Sequence, residues 1–487
     1  MTAAENRTRW LALLVLCLGD VMIVLDGTIV NVALPSIGAD LGFSQASLAW
    51  VVNAYLLTFG GFLLLGGRLG DLYGNRRLFL GGIALFTAAS LACGLATTQG
   101  QLVAARAVQG LGGAVVAAVA LSLIMGLFTE PAERAKAMGV FGFVLSGGGT
   151  IGVLLGGVLT DFLAWNWIFL VNLPVGIAVF ALGLRLLPGG RAESASRRLD
   201  VPGAVTVTAA LMLAVYAIVN GNETGWTSGR TLGLLGAAAA LLVLFLVIEA
   251  RTASPLMPLR IFRIRNVSTA NVIGVLMAAG MFAQFFFSAL YLQQILGYSP
   301  LEVGLAYVPS TLVWGSASLF LSDRLVMRFG IKPPLVAGLG LMALALALFG
   351  RMPVDGSYAL DVLPATLLLG LGAGVAFNPL LLAAMSGVEP TESGLASGVV
   401  NTAFMMGGAL GLAVLAALAA SRTEALLADG KGELAALNGG FHAAFLLGAL
   451  LVAVAAVIGA ALLRGLAEEP PGHPAHAERE QPAFAAE

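Results

Sequence analysis

Charge is scarce in this chain: only 10% of its residues are Asp, Glu, Lys or Arg, while 59% are hydrophobic. A water-soluble domain carries roughly 25% charged residues, so this composition excludes an ordinary soluble fold. At 487 residues the chain is also too long for one soluble core. Cysteine is nearly absent. Cys17 and Cys93 both fall in apolar runs, so no disulfide framework is implied. Histidine is limited to His442, His473 and His476, too sparse for a metal site. The formal net charge of −1 provides no basic footprint, and no nucleic-acid partner is expected. No P-loop, zinc spacing or nucleophile elbow occurs, so neither enzymatic chemistry nor a cofactor or metal is expected. Glycine, by contrast, is abundant at 63 residues. It has no G-X-Y period, and in apolar helices it fits close helix–helix approach.

What is present is a series of apolar runs of about 20 residues, the length that crosses a bilayer as helix. They lie near 10–34, 47–66, 78–97, 101–127, 137–160, 167–187, 203–220 and 230–249, then near 268–292, 302–322, 334–350, 363–386, 396–420 and 441–463. The expectation is an all-α polytopic membrane protein of 14 transmembrane helices. Continuous apolar runs argue against a β-barrel, whose strands alternate. Arg7 and Arg9 before the first run resemble a signal peptide, but the run continues past Val32, too long for a signal core, and reads as a retained helix.

Loop charges test the count. With the N-terminus inside, twenty of the 25 Lys and Arg fall in cytoplasmic segments. Only Arg230, Arg351, Arg422 and Lys431 fall outside, and Arg106 lies within a helix. That asymmetry places both termini in the cytoplasm, in the cell inner membrane. A weak repeat links Gly67–Arg77 (GRLGDLYGNRR) with Ser322–Lys332 (SDRLVMRFGIK), each closing the second helix of a six-helix half. The expected organisation is a six-helix bundle over 10–187, a linker and inserted helices 7 and 8 over 188–250, and a second six-helix bundle over 268–463. The Pro-, Ala- and Glu-rich tail 468–487 is expected to be disordered.

Ionisable groups at bilayer depth are costly and point to function. Asp20 and Asp26 in helix 1 and Arg106 in helix 4 are the three. Six residues of helix separate the aspartates by about 120° and roughly 9 Å, so they do not share a face. Asp20 lines up with Gly27 and Asn31. At most one aspartate looks into a central cavity, and the other sits nearer a helix seam. A carboxyl that gains and loses an Arg partner is a workable proton-coupling site; a permanent structural pair is the alternative.

Helix 9 places Gln284, Phe285 and Tyr291 among several phenylalanines, a wall suited to apolar or cationic aromatic ligands. Asn53, Asn378 and Asn401 are single polar residues in helices 2, 12 and 13, and with Asn31 they complete the candidate substrate cavity. Gly67, Asp71, Gly74 and Arg77 form a candidate conformational latch at a cytoplasmic turn. Gly148, Gly152, Gly156 and Gly157 give helix 5 a small-residue packing stripe.

These segments together resemble the fourteen-helix drug/proton antiporter branch of the major facilitator superfamily. Leu25–Pro35 (LDGTIVNVALP) is similar to its first-helix signature, Gly67–Arg77 to its loop 2–3 motif, and Leu102–Gly113 (LVAARAVQGLGG) to its helix-4 motif, with the membrane Arg at Arg106. The helix-5 glycines match the antiporter motif, whose usual proline stands here as Val153. Trp165–Gly176 (WNWIFLVNLPVG) and Tyr291–Pro309 resemble signatures of the fourteen-helix branch, the first with Asn166 where an Arg is usual.

The resemblance implies alternating access driven by the proton gradient, with efflux of small amphipathic or cationic compounds. Asp26, with Arg106, is then the leading coupling carboxylate and Asp20 its competitor. The chain is expected to act as a monomer in the lipid bilayer. A dedicated exporter of one endogenous metabolite is the alternative, and a proton-coupled nutrient importer a more distant one.

Overall fold

Lipid offers a backbone no hydrogen-bond partners, so each apolar run satisfies its own N–H and C=O groups as helix. The computed structural model describes residues 3–128, 130–188, 200–252, 255–388 and 393–464, and among these no strand occurs. The long helices are α1 (Ala3–Leu41), α2 (Trp50–Tyr73), α3 (Asn75–Gly94), α4 (Gln99–Leu127), α5 (Pro131–Phe162), α6 (Asn172–Leu186), α7 (Val201–Val219) and α8 (Gly229–Arg251). They continue with α9 (Arg265–Leu290), α10 (Pro300–Ser316), α11 (Lys332–Phe349), α12 (Leu363–Met385), α13 (Ser393–Ala428) and α14 (Glu433–Leu462). Thirteen spans among the described residues are long and apolar enough to cross a membrane. The fourteenth long helix is α5, of 32 residues, whose apolar stretch is Gly148–Phe162.

Several helix starts carry their own caps. Thr98 accepts from the backbone N–H of Gln101, Asp200 from Gly203 and Ser228 from Thr231. Ser299 and Glu302 form a reciprocal capping box, with Pro300 already preset for the first turn. Each satisfies donors that the helix itself leaves open.

Two ends of the bundle are distinguishable. At one, Arg9 pairs with Glu133, Arg76 donates to the Leu184 carbonyl, and Arg265 donates to the Leu462 carbonyl at 2.8 Å. At the other, Trp165 Nε1 donates to Asp40 at 2.8 Å and Tyr291 to the Pro353 carbonyl at 2.6 Å. The basic residues thus concentrate where α1 begins and α14 ends.

Helix α1 packs on α5, α6 and α4, and α4 also packs on α2 and α3. Helix α9 packs on α13 and α14, and α11 on α12 and α14. The groups meet along α2–α13 and α5–α10, and α7, paired with α8, lies against both α2 and α13. Close approach at these seams depends on glycine. A Cβ on Gly156 would fall 2.8 Å from the Ile29 carbonyl of α1, and one on Gly157 2.7 Å from the Pro300 carbonyl of α10. Gly148 faces Val21 and Val24, and Gly152 faces Leu25 and Thr28.

The turn after α2 differs from its sequence-based expectation. The helix runs through position 71 to Tyr73, so Asp71 belongs to the helix and the turn narrows to Gly74. Gly74 has φ 93, a conformation costly to any residue with a Cβ, and Gly330 repeats it with φ 76 before α11. The Asp71 side chain, most of the linker 187–201 and the tail 468–487 lie outside the described residues.

Candidate functional site

Among the described residues Arg106 is one of the largest fully buried side chains. Its position follows from α4 and α2 lying close together, where Gly110 is tight against the Tyr55 backbone. The guanidinium Nε donates to the Val51 carbonyl of α2 at 2.9 Å. Nη1 donates to Gln109 Oε1 at 2.7 Å and also forms an ion pair with Asp26 Oδ2. The guanidinium carbon lies 4.4 Å above the Tyr55 ring and 5.6 Å from that of Phe169, close enough for cation–π attraction.

Asp26 has its second oxygen filled as well. Oδ1 accepts from Gln109 Nε2 at 2.7 Å and from Asn172 Nδ2 at 3.0 Å. Gln109 Nε2 reaches Ser90 Oγ at 2.8 Å, and Asn172 reaches the same hydroxyl at 3.4 Å. The Cys93 thiol completes the cluster at 3.6 Å from Gln109 Oε1. Asp26, Arg106, Gln109 and Ser90 are each 0% exposed. Five helices, α1, α2, α3, α4 and α6, therefore converge on one neutral, hydrogen-bonded ion pair. A buried pair is tolerable only when its other polar atoms find partners, and here both Asp26 oxygens and the Arg106 Nε and Nη1 do.

Asp26 is the aspartate at the helix seam. Asp20 is 5% exposed, and its Oδ2 is buried without a hydrogen-bond partner. It shares its face of α1 with Gly27 and Asn31. A Cβ on Gly27 would meet nothing within 4 Å, so this face borders open space. Asn31 bonds only within α1, its Nδ2 donating to the Gly27 carbonyl at 3.2 Å.

The other candidates are dispersed. Gln284 donates to Ser288 Oγ at 3.1 Å, and Ser288 lies 2.6 Å from the Tyr307 hydroxyl of α10. The ring of Phe285 stands 5.5 Å from that of Tyr307, so these two candidates form one cluster. Phe286 and Phe287 turn the other way and are fully buried, Phe287 packing against Phe441 and Phe445 of α14. Tyr291 stands apart at the far end of α9, anchored to the Pro353 carbonyl. Asn378 donates to the Ser318 carbonyl at 3.1 Å, and Asn401 to Ser397 of its own helix at 2.9 Å. Asn53 is fully buried with neither amide atom paired. Gly67 has nothing around its Cβ position, and Arg77 is exposed. His442 sits 2.7 Å from the Met352 carbonyl as a loop anchor. A groove of about 600 Å³ between α3 and α4, lined by Leu85, Ala88, Ala92 and Val108, contains none of these residues.

Gln109, Ser90, Asn172 and Tyr55 escaped the sequence reading. Gln109 had a signal, standing three residues after Arg106 on the same helix, and Asn172 lies inside the segment WNWIFLVNLPVG. Neither is charged, and neither carries the cost at bilayer depth that marked Asp20, Asp26 and Arg106.

Thirteen membrane-length spans and the long helix α5, enclosing a buried charge network, define a polytopic membrane protein. The Major Facilitator Superfamily model matches residues 16–412, and the chain belongs to that superfamily. It is 41% identical over 458 residues to the puromycin resistance protein pur8 of Streptomyces alboniger, covering 93% of this chain and 90% of that protein. It is 40% identical to the cephamycin export protein CmcT of Amycolatopsis lactamdurans, covering 96% of each. A third relative, 36% identical over 422 residues, is the multidrug resistance protein Stp of Mycobacterium tuberculosis, with 87% of this chain and 78% of that one covered. The fold is shared with a crystal structure of a bacterial homologue of the human lysosomal transporter Spinster. That likeness has a TM-score of 0.67 at 17% identity and covers 93% of this chain and 96% of the other.

Proposed function

We propose that this protein is a secondary active exporter that moves small hydrophobic or cationic antibiotics outward as protons move inward, by alternating access. The observation that carries the reading is the buried Asp26–Arg106 pair in a superfamily member whose relatives are named for puromycin resistance, cephamycin export and multidrug resistance. A charge network at bilayer depth is costly and points to function. Coupling is assigned to the α1 carboxylates Asp26 and Asp20 with Arg106, one carboxylate binding the proton and the other positioning the helix. Substrate contact is assigned to the Asn31, Asn53, Gln284, Phe285, Asn378 and Asn401 set, and the latch to Gly67, Asp71, Gly74 and Arg77.

In this reading the bundles 10–187 and 268–463 rock against each other as a monomer, with 188–250 alongside. The protein resides in the cell inner membrane with both termini and the 187–201 linker in the cytoplasm. The test is transport by the purified full-length protein in proteoliposomes with an imposed pH gradient and a panel of cationic dyes and antibiotics. Gradient-dependent accumulation of several chemically unrelated compounds is expected. Accumulation of one compound alone would replace the multidrug reading with a dedicated exporter.

A further inference from the structure

The two aspartates of α1 divide into different chemical situations. Asp26 has no vacancy: Arg106 occupies Oδ2, while Gln109 and Asn172 occupy Oδ1. A proton placed on it would have to displace one of those donors and strip Arg106 of its counter-charge. At 0% exposure it also has no water to exchange with.

Asp20 is the opposite case. Its Oδ2 is buried without a partner, yet the side chain keeps 5% exposure on a helix face that borders open space at Gly27. A proton placed there displaces nothing. The nearest ionisable residue on its own helix is Cys17, one turn earlier, and α2 contributes Tyr55; neither is a cation. The Tyr55 hydroxyl is itself buried without a partner. Among the other helices packed on α1, α4 contributes Arg106, which is committed to Asp26. Helices α5, α6, α9 and α10 carry their charged residues (Glu133, Arg134, Lys136 and Asp161; Arg185; Arg265; Glu302) only near their ends.

We infer that Asp20 is the binding site of the transported proton, and that Asp26 with Arg106 is a permanent positioning element that holds α1 in register with α3, α4 and α6. This assignment rests on the proton-driven reading above. It reverses the order expected from the sequence, where membership of a signature motif put Asp26 first. A carboxyl that must load and unload a proton needs a free oxygen and some exposure, and of the two only Asp20 has both. Tyr55, whose ring lies 4.4 Å from the Arg106 guanidinium carbon, flanks the charge pair from α2.

The experiment has two readouts on full-length protein. The first is proton binding by detergent-solubilised protein after an acid jump, followed with a pH indicator dye, which needs no substrate. Asp20→Asn should bind about one proton fewer per chain than wild type, and Asp26→Asn as many as wild type. The second is ethidium flux in proteoliposomes, where an imposed gradient should stimulate wild type at least about tenfold and leave the Asp20→Asn flux unchanged.

Should Asp20→Asn fail to fold by size-exclusion chromatography, Asp20→Glu replaces it; its pH midpoint for proton binding should move while that of Asp26→Glu does not. A folded Asp20→Asn chain that binds the full complement of protons overturns the assignment, as does an Asp26→Asn chain that lacks one. A wild-type protein that binds the Asp20 proton but moves no dye or antibiotic overturns the export reading instead.

Discussion

Asp26 and Arg106 stand 80 residues apart in the chain and meet in the bilayer as a fully buried ion pair, with the Arg106 Nε tied to the Val51 carbonyl at 2.9 Å. The planar guanidinium is thereby aimed at three acceptors on three helices. A point-charge ammonium cannot reproduce that fork. Arg106→Lys should therefore lose the Val51 and Gln109 contacts together, and Arg106→Ala, which strands a buried carboxylate, should cost about 3–5 kcal/mol of stability. Thermal unfolding followed by size-exclusion chromatography ranks the two. A lysine variant as stable as wild type would mean the network is not positioned by the fork.

Asn172 brings α6 to the pair, and it does so with one amide. Asn172→Ala should leave Asp26 Oδ1 to Gln109 alone and lower stability by about 1–3 kcal/mol, the usual range for removing one partner of a buried polar group. Asn172→Asp should be worse, because it sets a second carboxylate 3.0 Å from the first. The same thermal assay checks both.

Gly152 leaves no space for a side chain. A Cβ there would collide with the Thr28 hydroxyl and fall 3.0 Å from the Leu25 carbonyl. Gly152→Ala should destabilise the α1–α5 contact by about 1–3 kcal/mol, and Thr28→Ala should restore part of it. Absence of any rescue in the double variant would show that the backbone clash alone decides the outcome.

The native thiols provide a built-in control for topology. Cys17 is 1% and Cys93 0% exposed, so neither should react with maleimide in the folded protein. A Ser194→Cys variant should label with a membrane-impermeant maleimide only from the cytoplasmic side. Labelling from the periplasm would break the topology that the loop charges support.

Most of the fold was legible because apolar length is a direct consequence of bilayer thickness. The misjudged boundaries share one cause. Helix α1 continues to Leu41, α13 to Ala428, and α14 begins at Glu433, all beyond their apolar runs, because a helix does not stop where the lipid does. The wider turns at Tyr291–Ile295, Ala317–Ser322 and Tyr358–Val362 change hydrogen-bond register without changing composition, and so leave no mark in the sequence.

In the site, the aspartates and Arg106 announced themselves as charges in apolar surroundings. Which aspartate kept a free oxygen was not legible, since that depends on Asn172, 146 residues from Asp26. Helical phase did predict that only one of them would occupy a seam, but not which.

The inserted pair α7 and α8 gives the molecule two unlike flanks. On one side α7 lies over both α2 and α13, and α8 lies beyond it, so the line where the two bundles meet is roofed by protein. On the other, α5 and α10 meet through Gly157, Pro300 and Gly304, with Ile151, Val158, Leu305 and Leu312 turned outward. A greasy molecule dissolved in the surrounding lipid thus finds a wall along one flank and a bare seam along the other. The protein is left-right asymmetric toward its own solvent.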